Sequence, residues 1–451
     1  MTPAAARRAR QRNRRRVFGA LGIAAAAGTA IIGSTFLSDA MVGMGSSDDA
    51  ASPTPELIAR GAYLAQLGDC AACHSVPGKP PFTGGLKMAI PIGSIYTSNI
   101  TPDRDHGIGR YSLQDFDRAL RFGVADGHTL YPAMPFPSYA LIAPDDVQAL
   151  YAYFKNGVQP AAVPNELNEV RFPFSMRWPL TIWRWLFASK PATAGRPPAS
   201  GNRDPIVARG AYLVEGPGHC GDCHTPRAAT LQVKALRASD GSSFLSGAVV
   251  EAWLAPSLRN GGQGSIGDWT EADLVGFLKT GTNRHGIAFG SMSDVIVHST
   301  QGWTNADATA AARFLKTLTA EPATTFAYDN TTHRALLAGD ASQRGALIYL
   351  NNCAACHRPD GKGYDGVFPS LAGNPIVESA SPLSLIHIVL HGSTTPRTDS
   401  TPAQFTMPAF DWRMSDQDVA DVVSFIRTAW GNHAQSVDMA AVVPVRRETT
   451  K

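Results

Sequence analysis

The chain has 451 residues, with 42 glycines, 32 prolines, six cysteines and 17% charged residues. That excludes a single ordinary core and points to several small, loop-rich domains. The net charge of +3 sits at the terminus: residues 1–40 hold seven arginines and one acid, and the rest of the chain balances 33 basic against 36 acidic residues, which gives no reason to invoke nucleic acid.

The arginines Arg7 to Arg16 precede an apolar run, VFGALGIAAAAGTAIIGSTFL at residues 17–37, and a small-x-small site, Ser38-Asp39-Ala40. This order reads as an export signal that places the remaining chain on the periplasmic side of the inner membrane. The run exceeds a usual signal core of roughly 7–15 residues and is just long enough to span a bilayer. Residues 1–40 are therefore an export signal or a membrane anchor, with both readings open.

Three near-copies follow. ARGAYL at 59–64, ARGAYL at 208–213 and QRGALIYL at 343–350 each lead into a cysteine pair. Self-similarity at long spacing predicts repeated domains, and the copies read as helices. Gly61, Gly210 and Gly345 hold equivalent places, which predicts close helix–helix approach. Next come middle helices in 107–123 and 265–281, with starts at Ser112-x-x-Asp115 and Thr270-x-x-Asp273 and ends at Gly123 and Gly281. The third copy offers SPLSLIHIVLHG, ending at Gly392. Amphipathic helices at 144–155, 304–318 and 415–430 close the units. No alternation is long enough to predict a sheet. Residues 171–187, RFPFSMRWPLTIWRWLF, are an aromatic segment, read either as a clamp between units or as a patch for a partner, a quinone or the membrane.

All six cysteines fall in one pattern: Cys70-Ala-Ala-Cys73-His74, Cys220-Gly-Asp-Cys223-His224 and Cys353-Ala-Ala-Cys356-His357. Cys-x-x-Cys-His reads as c-type haem attachment. Two thiols on one helical turn can add to the vinyl groups of one haem edge, and the adjacent His becomes the proximal iron ligand. Its other nitrogen needs an acceptor, expected among the carbonyls near Pro77, Pro226 and Pro359. A zinc site would set two Cys-x-x-Cys units close together; these lie more than 130 residues apart.

The repeat also supplies the sixth ligands. Met134 stands 11 residues past Gly123, Met292 stands 11 past Gly281, and Met407 follows Gly392 by 15. The axial iron ligands are thus read as His74 with Met134, His224 with Met292, and His357 with Met407. His/Met ligation raises the potential. Prolines bracket Met134 in TLYPAMPFPSYA, whereas Met292 has none beside it, which predicts a less constrained loop. A bis-His site through His128 or His285 is the competing arrangement, but the third unit has no counterpart. Met88, Met176 and Met414 are out of step with the repeat. The fold class expected is all-α: three tandem class I cytochrome c-type domains at 53–160, 204–320 and 338–433. They follow the N-terminal segment; an aromatic segment and linker occupy 161–203, and a tail occupies 434–451.

GDCAACHSVPG, TSNITPD, YPAMPFPSYA, GHCGDCHTPR, FGSMSDV, HSTQGW and NNCAACHRPDG together resemble the tri-haem cytochrome c subunits of membrane-bound bacterial dehydrogenases for alcohols, gluconate and related sugar acids or polyols. The resemblance covers about residues 55–430. It implies three covalently attached haem c groups and no catalysis by this chain alone. It also implies a membrane-associated complex with a flavo-, quino- or molybdoprotein dehydrogenase subunit, and delivery of electrons to ubiquinone or an oxidase. A cytochrome subunit of a molybdenum aldehyde dehydrogenase is the nearest alternative; a multi-haem peroxidase would need a haem with a vacated sixth position. Some relatives carry a C-terminal membrane helix, but the tail here is too short and polar to span.

Overall fold

A computed structural model of the chain describes residues 28–30, 32–35, 37–39, 52–188, 190–191, 204–261, 265–319 and 326–448. Most of the expected export segment lies outside the described residues. Among those described, no helix is long and apolar enough to cross a membrane.

One arrangement recurs three times. An opening helix (Pro55–Leu67, Pro205–Glu215, Arg344–Asn352) packs across a closing helix (Pro144–Asn156, Asn305–Thr317, Asp416–Thr428). The side chains of Thr54, Asp204, Thr304 and Ser415 cap four of these N-termini, each satisfying a backbone N–H that has no partner within the helix. The crossings explain the repeated glycines. A Cβ on Gly61 would stand 1.9 Å from the Ala149 carbonyl oxygen, and one on Gly210 would stand 1.9 Å from that of Ala310. On Gly345 it would meet the Asp421 oxygen at 2.3 Å. Backbones this close leave no room for any side chain.

Beside each glycine the preceding arginine pairs with the closing helix: Arg60 with Asp146, Arg209 with Asp307, and Arg344 with Asp418 and Asp421. In the first two units a tyrosine then reaches across. Tyr212 donates to Asp146 at 2.5 Å, and Tyr63 donates to Asp307 at 2.7 Å. The two units thus exchange the same side chain reciprocally, and their apolar residues merge into one core that includes Leu67, Phe154, Leu213 and Phe314. The third unit has Leu347 at this position, 48% exposed, and keeps a separate core around Tyr349, Leu390, Val422 and Trp430. The tyrosine hydroxyls at this position link the first two units, and the third unit has none there.

The middle helices are Leu113–Phe122, Glu271–Thr280 and Leu383–His391. The first two begin with the expected capping boxes and end on left-handed glycines, Gly123 (φ 64°) and Gly281 (φ 73°). Against expectation, strands are present. Lys87–Ile90, Gly93–Tyr96 and Glu169–Val170 form a three-stranded antiparallel sheet, and Ala248–Val250 pairs with Trp253–Ala255. They are only two to four residues long, too short to leave a period-two signal. The tail is folded as well: Met439–Glu448 buries Val442 and Val445 in the third core, and Arg446 pairs with Asp416.

The aromatic segment divides its labour. It forms the helix Trp178–Phe187. Trp183 donates to the Thr230 carbonyl and sits edge-on to Phe136, clamping the second unit to the first. Phe172, Phe174, Trp185 and Leu186 stay exposed.

Glu215 ends the second opening helix, 8% exposed, and accepts one bond from the Ala238 N–H at 2.9 Å. Burial pushes its carboxyl up to about 7. The neutral form is favoured in the fold, so this group's stabilisation is full in acid and is lost as pH climbs from the ordinary carboxylate range to about 7. Glu215→Gln keeps an acceptor for Ala238. It is expected to stabilise the protein by roughly 1–3 kcal/mol above pH 7 and to change nothing near pH 4, as read from melting curves across pH.

Candidate haem attachment sites

Each Cys-x-x-Cys-His motif lies on a short helical turn directly after its opening helix. The turn brings both thiols to one side and carries the histidine at its end. None of the six cysteines is paired in a disulfide. Among the described residues no three His, Cys, Asp or Glu side chains cluster as a metal site.

The histidines are held alike. His74 Nδ1 is 2.7 Å from the Ser98 carbonyl oxygen, His224 Nδ1 is 2.7 Å from that of Pro256, and His357 Nδ1 is 3.0 Å from that of Pro369. A carbonyl can only accept, so Nδ1 carries the proton and Nε2 keeps its lone pair. Burial lowers the pKa of all three rings, which favours the neutral form. This is how a metal-binding imidazole is oriented. The acceptors are not those expected from the adjacent prolines. The Pro226 carbonyl takes the Lys234 N–H and the Pro359 carbonyl takes the Trp430 indole N–H. The true acceptors lie 24, 32 and 12 residues downstream, where the chain returns past the ring; sequence adjacency carries no sign of that.

The three methionines have three kinds of support. Met134 lies in the turn before the helix Phe136–Tyr139, whose Phe136 N–H bonds the Met134 carbonyl. Met292 stands in the first turn of the helix Ser291–His298, so helical backbone stands where the prolines flank Met134. Met407 belongs to a two-residue strand paired with Ser393. All three are half-buried, whereas Met414 is core. The competing histidines are engaged elsewhere or exposed: His285 stacks on Trp269 and contacts Asp273, and His128 sits exposed in a short hairpin.

The first two motifs lie against each other. Tyr139, just past Met134, donates to the Gly68 carbonyl at 2.6 Å and packs edge-on to His219. Ser138 bonds Asp222 between the second pair of cysteines. In return, the helix that carries Met292 packs on the Cys70–His74 turn. Between the second and third units, Trp253 stacks on His387 with ring centres 4.0 Å apart, and Leu254 N–H bonds Ser384. None of these contacts was legible in the sequence, because each joins residues that no motif links.

The residues therefore fit haem c: paired thiols on a turn, a neutral oriented imidazole beside them, and a half-buried thioether in each unit. The cytochrome c family profile matches residues 342–430. A gluconate 2-dehydrogenase cytochrome c subunit from Pantoea cypripedii is 50% identical over 411 residues, covering 90% of this chain and 92% of the relative. The chain belongs to the family of cytochrome c subunits of bacterial dehydrogenases. The quinone alcohol dehydrogenase cytochrome c subunit of Gluconobacter oxydans is 46% identical over 397 residues, 87% of this chain and 82% of the relative. The fructose dehydrogenase cytochrome subunit of Gluconobacter japonicus is 37% identical over 413 residues, 86% and 82% respectively. As a member of this family the chain carries covalently bound haem c.

Proposed function

We propose that this protein is a tri-haem electron-transfer subunit. Its three cytochrome c domains are 53–160, 204–320 and 338–433. Cys70 and Cys73, Cys220 and Cys223, and Cys353 and Cys356 hold the haems. His74 and Met134, His224 and Met292, and His357 and Met407 are the axial ligands. The chain accepts electrons from a dehydrogenase subunit that oxidises an alcohol, gluconate or a related substrate, and it delivers them to ubiquinone or an oxidase on the periplasmic side. The observation that carries this reading is the threefold recurrence of a histidine whose Nδ1 faces a backbone carbonyl beside a pair of cysteines.

Haem supplies one-electron chemistry at the iron. The protein's part is to keep ligand geometry fixed while charge changes. The carbonyl acceptors lock each imidazole, and the turn, helix or strand around each methionine limits where its sulfur can move. A protein with both axial positions filled passes electrons and does no bond chemistry.

Haem content tests the count: three haems per chain are expected by pyridine haemochrome assay, and two or fewer would refute it. Met134→Leu, Met292→Leu and Met407→Leu test the ligands. Each is expected to let one haem per chain bind carbon monoxide when reduced, and to lower that haem's potential, with haem content unchanged. Wild-type protein that binds carbon monoxide readily would count against the transfer role.

A further inference from the structure

The segments leading to Met134 and Met292 are braced from different places. Before Met134, Gly123 lies against the Phe136 ring of the same unit, and Tyr131 packs under Arg177 of the aromatic segment at 4.0 Å. Before Met292, the neighbours belong to the third unit. Gly281 lies against Pro396, whose Cγ would stand 2.3 Å from a Cβ on the glycine. Asn374, 8% exposed, donates to the His285 carbonyl at 3.2 Å.

Closest to the methionine, a hairpin stands between the two units. Its strands Ala248–Val250 and Trp253–Ala255 are joined by Glu251 and Ala252. Both turn residues have positive φ, 50° and 62°, where such turns ordinarily use glycine or asparagine. A strained turn persists only where its surroundings hold it, and here both sides do. The Glu251 carboxylate accepts from the hydroxyl of Ser291, next to Met292, at 2.6 Å. The Ala252 carbonyl accepts from His387 Nδ1 at 3.2 Å, and the Leu254 N–H donates to the buried Ser384 hydroxyl at 2.7 Å. Trp253 completes the link. A Cβ on Gly290, two residues before Met292, would stand 2.8, 2.8 and 2.9 Å from three neighbouring indole atoms, which places the glycine over the ring face. Phe289 packs on the same indole at 5.1 Å, and His387 stacks on it at 4.0 Å, within 11° of parallel.

We propose that Trp253, held by His387, is a positioning residue for Met292, so that the third unit keeps the sulfur ligand of the second haem in place. This rests on the reading of Met292 as an axial ligand. Residues 289–291 can swing away only if the indole moves, and the indole cannot move without leaving His387. A neutral thioether binds iron less firmly than an imidazole, so its bond depends more on the backbone that carries it and on the groups packed behind that backbone. Prolines stiffen the first unit's loop from within; the second unit's loop is stiffened from outside.

The test uses the full-length haem-loaded protein and three variants, Trp253→Leu, Trp253→Phe and His387→Ala. The readouts are the weak red absorption band of ferric iron bonded to a methionine sulfur, carbon monoxide binding after reduction, and a redox titration. Trp253→Leu is expected to keep its haems, lose one haem's share of the band, open one haem per chain to carbon monoxide and lower one potential. His387→Ala should move the same three readouts in the same direction, and Trp253→Phe, which keeps a ring over Gly290, should restore them. Adding Trp253→Leu to Met292→Leu should change nothing further, which assigns the effect to the second haem. A lowered melting temperature with the band intact in Trp253→Leu and His387→Ala would make the pair mere glue between units and overturn the proposal. Loss in Trp253→Leu with His387→Ala unchanged would overturn the part given to the third unit. Where Trp253→Leu does not load its haems, His387→Ala decides alone. If Met292→Leu itself leaves the band whole, the ligand reading fails; if Met292→Leu removes one share and Trp253→Leu does not, only the present inference fails.

Discussion

Gly61→Ala, Gly210→Ala and Gly345→Ala should each destabilise the holoprotein by at least about 2–3 kcal/mol, lowering the unfolding temperature of the affected unit by several degrees. In an open helix the same change stabilises by up to about 1 kcal/mol, because alanine loses less backbone entropy than glycine. Here the added carbon would overlap a carbonyl oxygen at 1.9, 1.9 and 2.3 Å. No real Cβ tolerates that contact, so the helices must separate, and the Arg–Asp pairs beside them lengthen. Gly276 is the internal control. It lies inside the middle helix Glu271–Thr280, and a Cβ added there would meet no atom within 4 Å, so Gly276→Ala should be neutral or slightly stabilising. Calorimetric melts of the four variants separate steric crowding from helix propensity. Equal behaviour at Gly210 and Gly276 would show that the crossing has slack.

The second large effect concerns the cysteines. Cys353→Ala with Cys356→Ala should leave the third unit unfolded and protease-sensitive while the first two units keep their haems. A unit of about 100 residues buries too little surface to be secure without a cofactor at its centre. The third core is separate from the core shared by the first two, so the damage should stop there. Cys70→Ala with Cys73→Ala should behave differently. Its unit shares Leu213, Phe314 and the Tyr63–Asp307 bond with the second, and its motif is held against the second motif by Tyr139. Loss should therefore spread, leaving haem only in the third unit. Limited proteolysis with haem-stained peptide mapping reads both outcomes. A first-unit variant that retains two haems would show that the shared core is not cooperative.

Much of the architecture was legible because it is local. Caps, terminal glycines and amphipathic spacing lie within a few residues of one another, and Ser112, Asp115 and Gly123 act in the structure as they read in the chain. The short strands were missed because two to four residues carry too little pattern. The histidine acceptors were misplaced because an adjacent proline carbonyl looks available until the fold gives it to Lys234 or Trp430. The helix around Met292 was missed because the absence of proline was read only as looseness and not as room for a helix.

By itself the sequence showed three cysteine pairs with a following histidine and three glycines marking helix crossings. Repetition made these visible, since a motif written three times needs no neighbour to interpret it. Only the tertiary structure decided how the copies are joined. The exchange of Tyr63 and Tyr212 fuses the first two units, Leu347 leaves the third apart, and Trp253 meets His387 across the remaining boundary. Those choices depend on side chains far apart in the chain, whose contact is set by packing rather than by any local preference of the backbone.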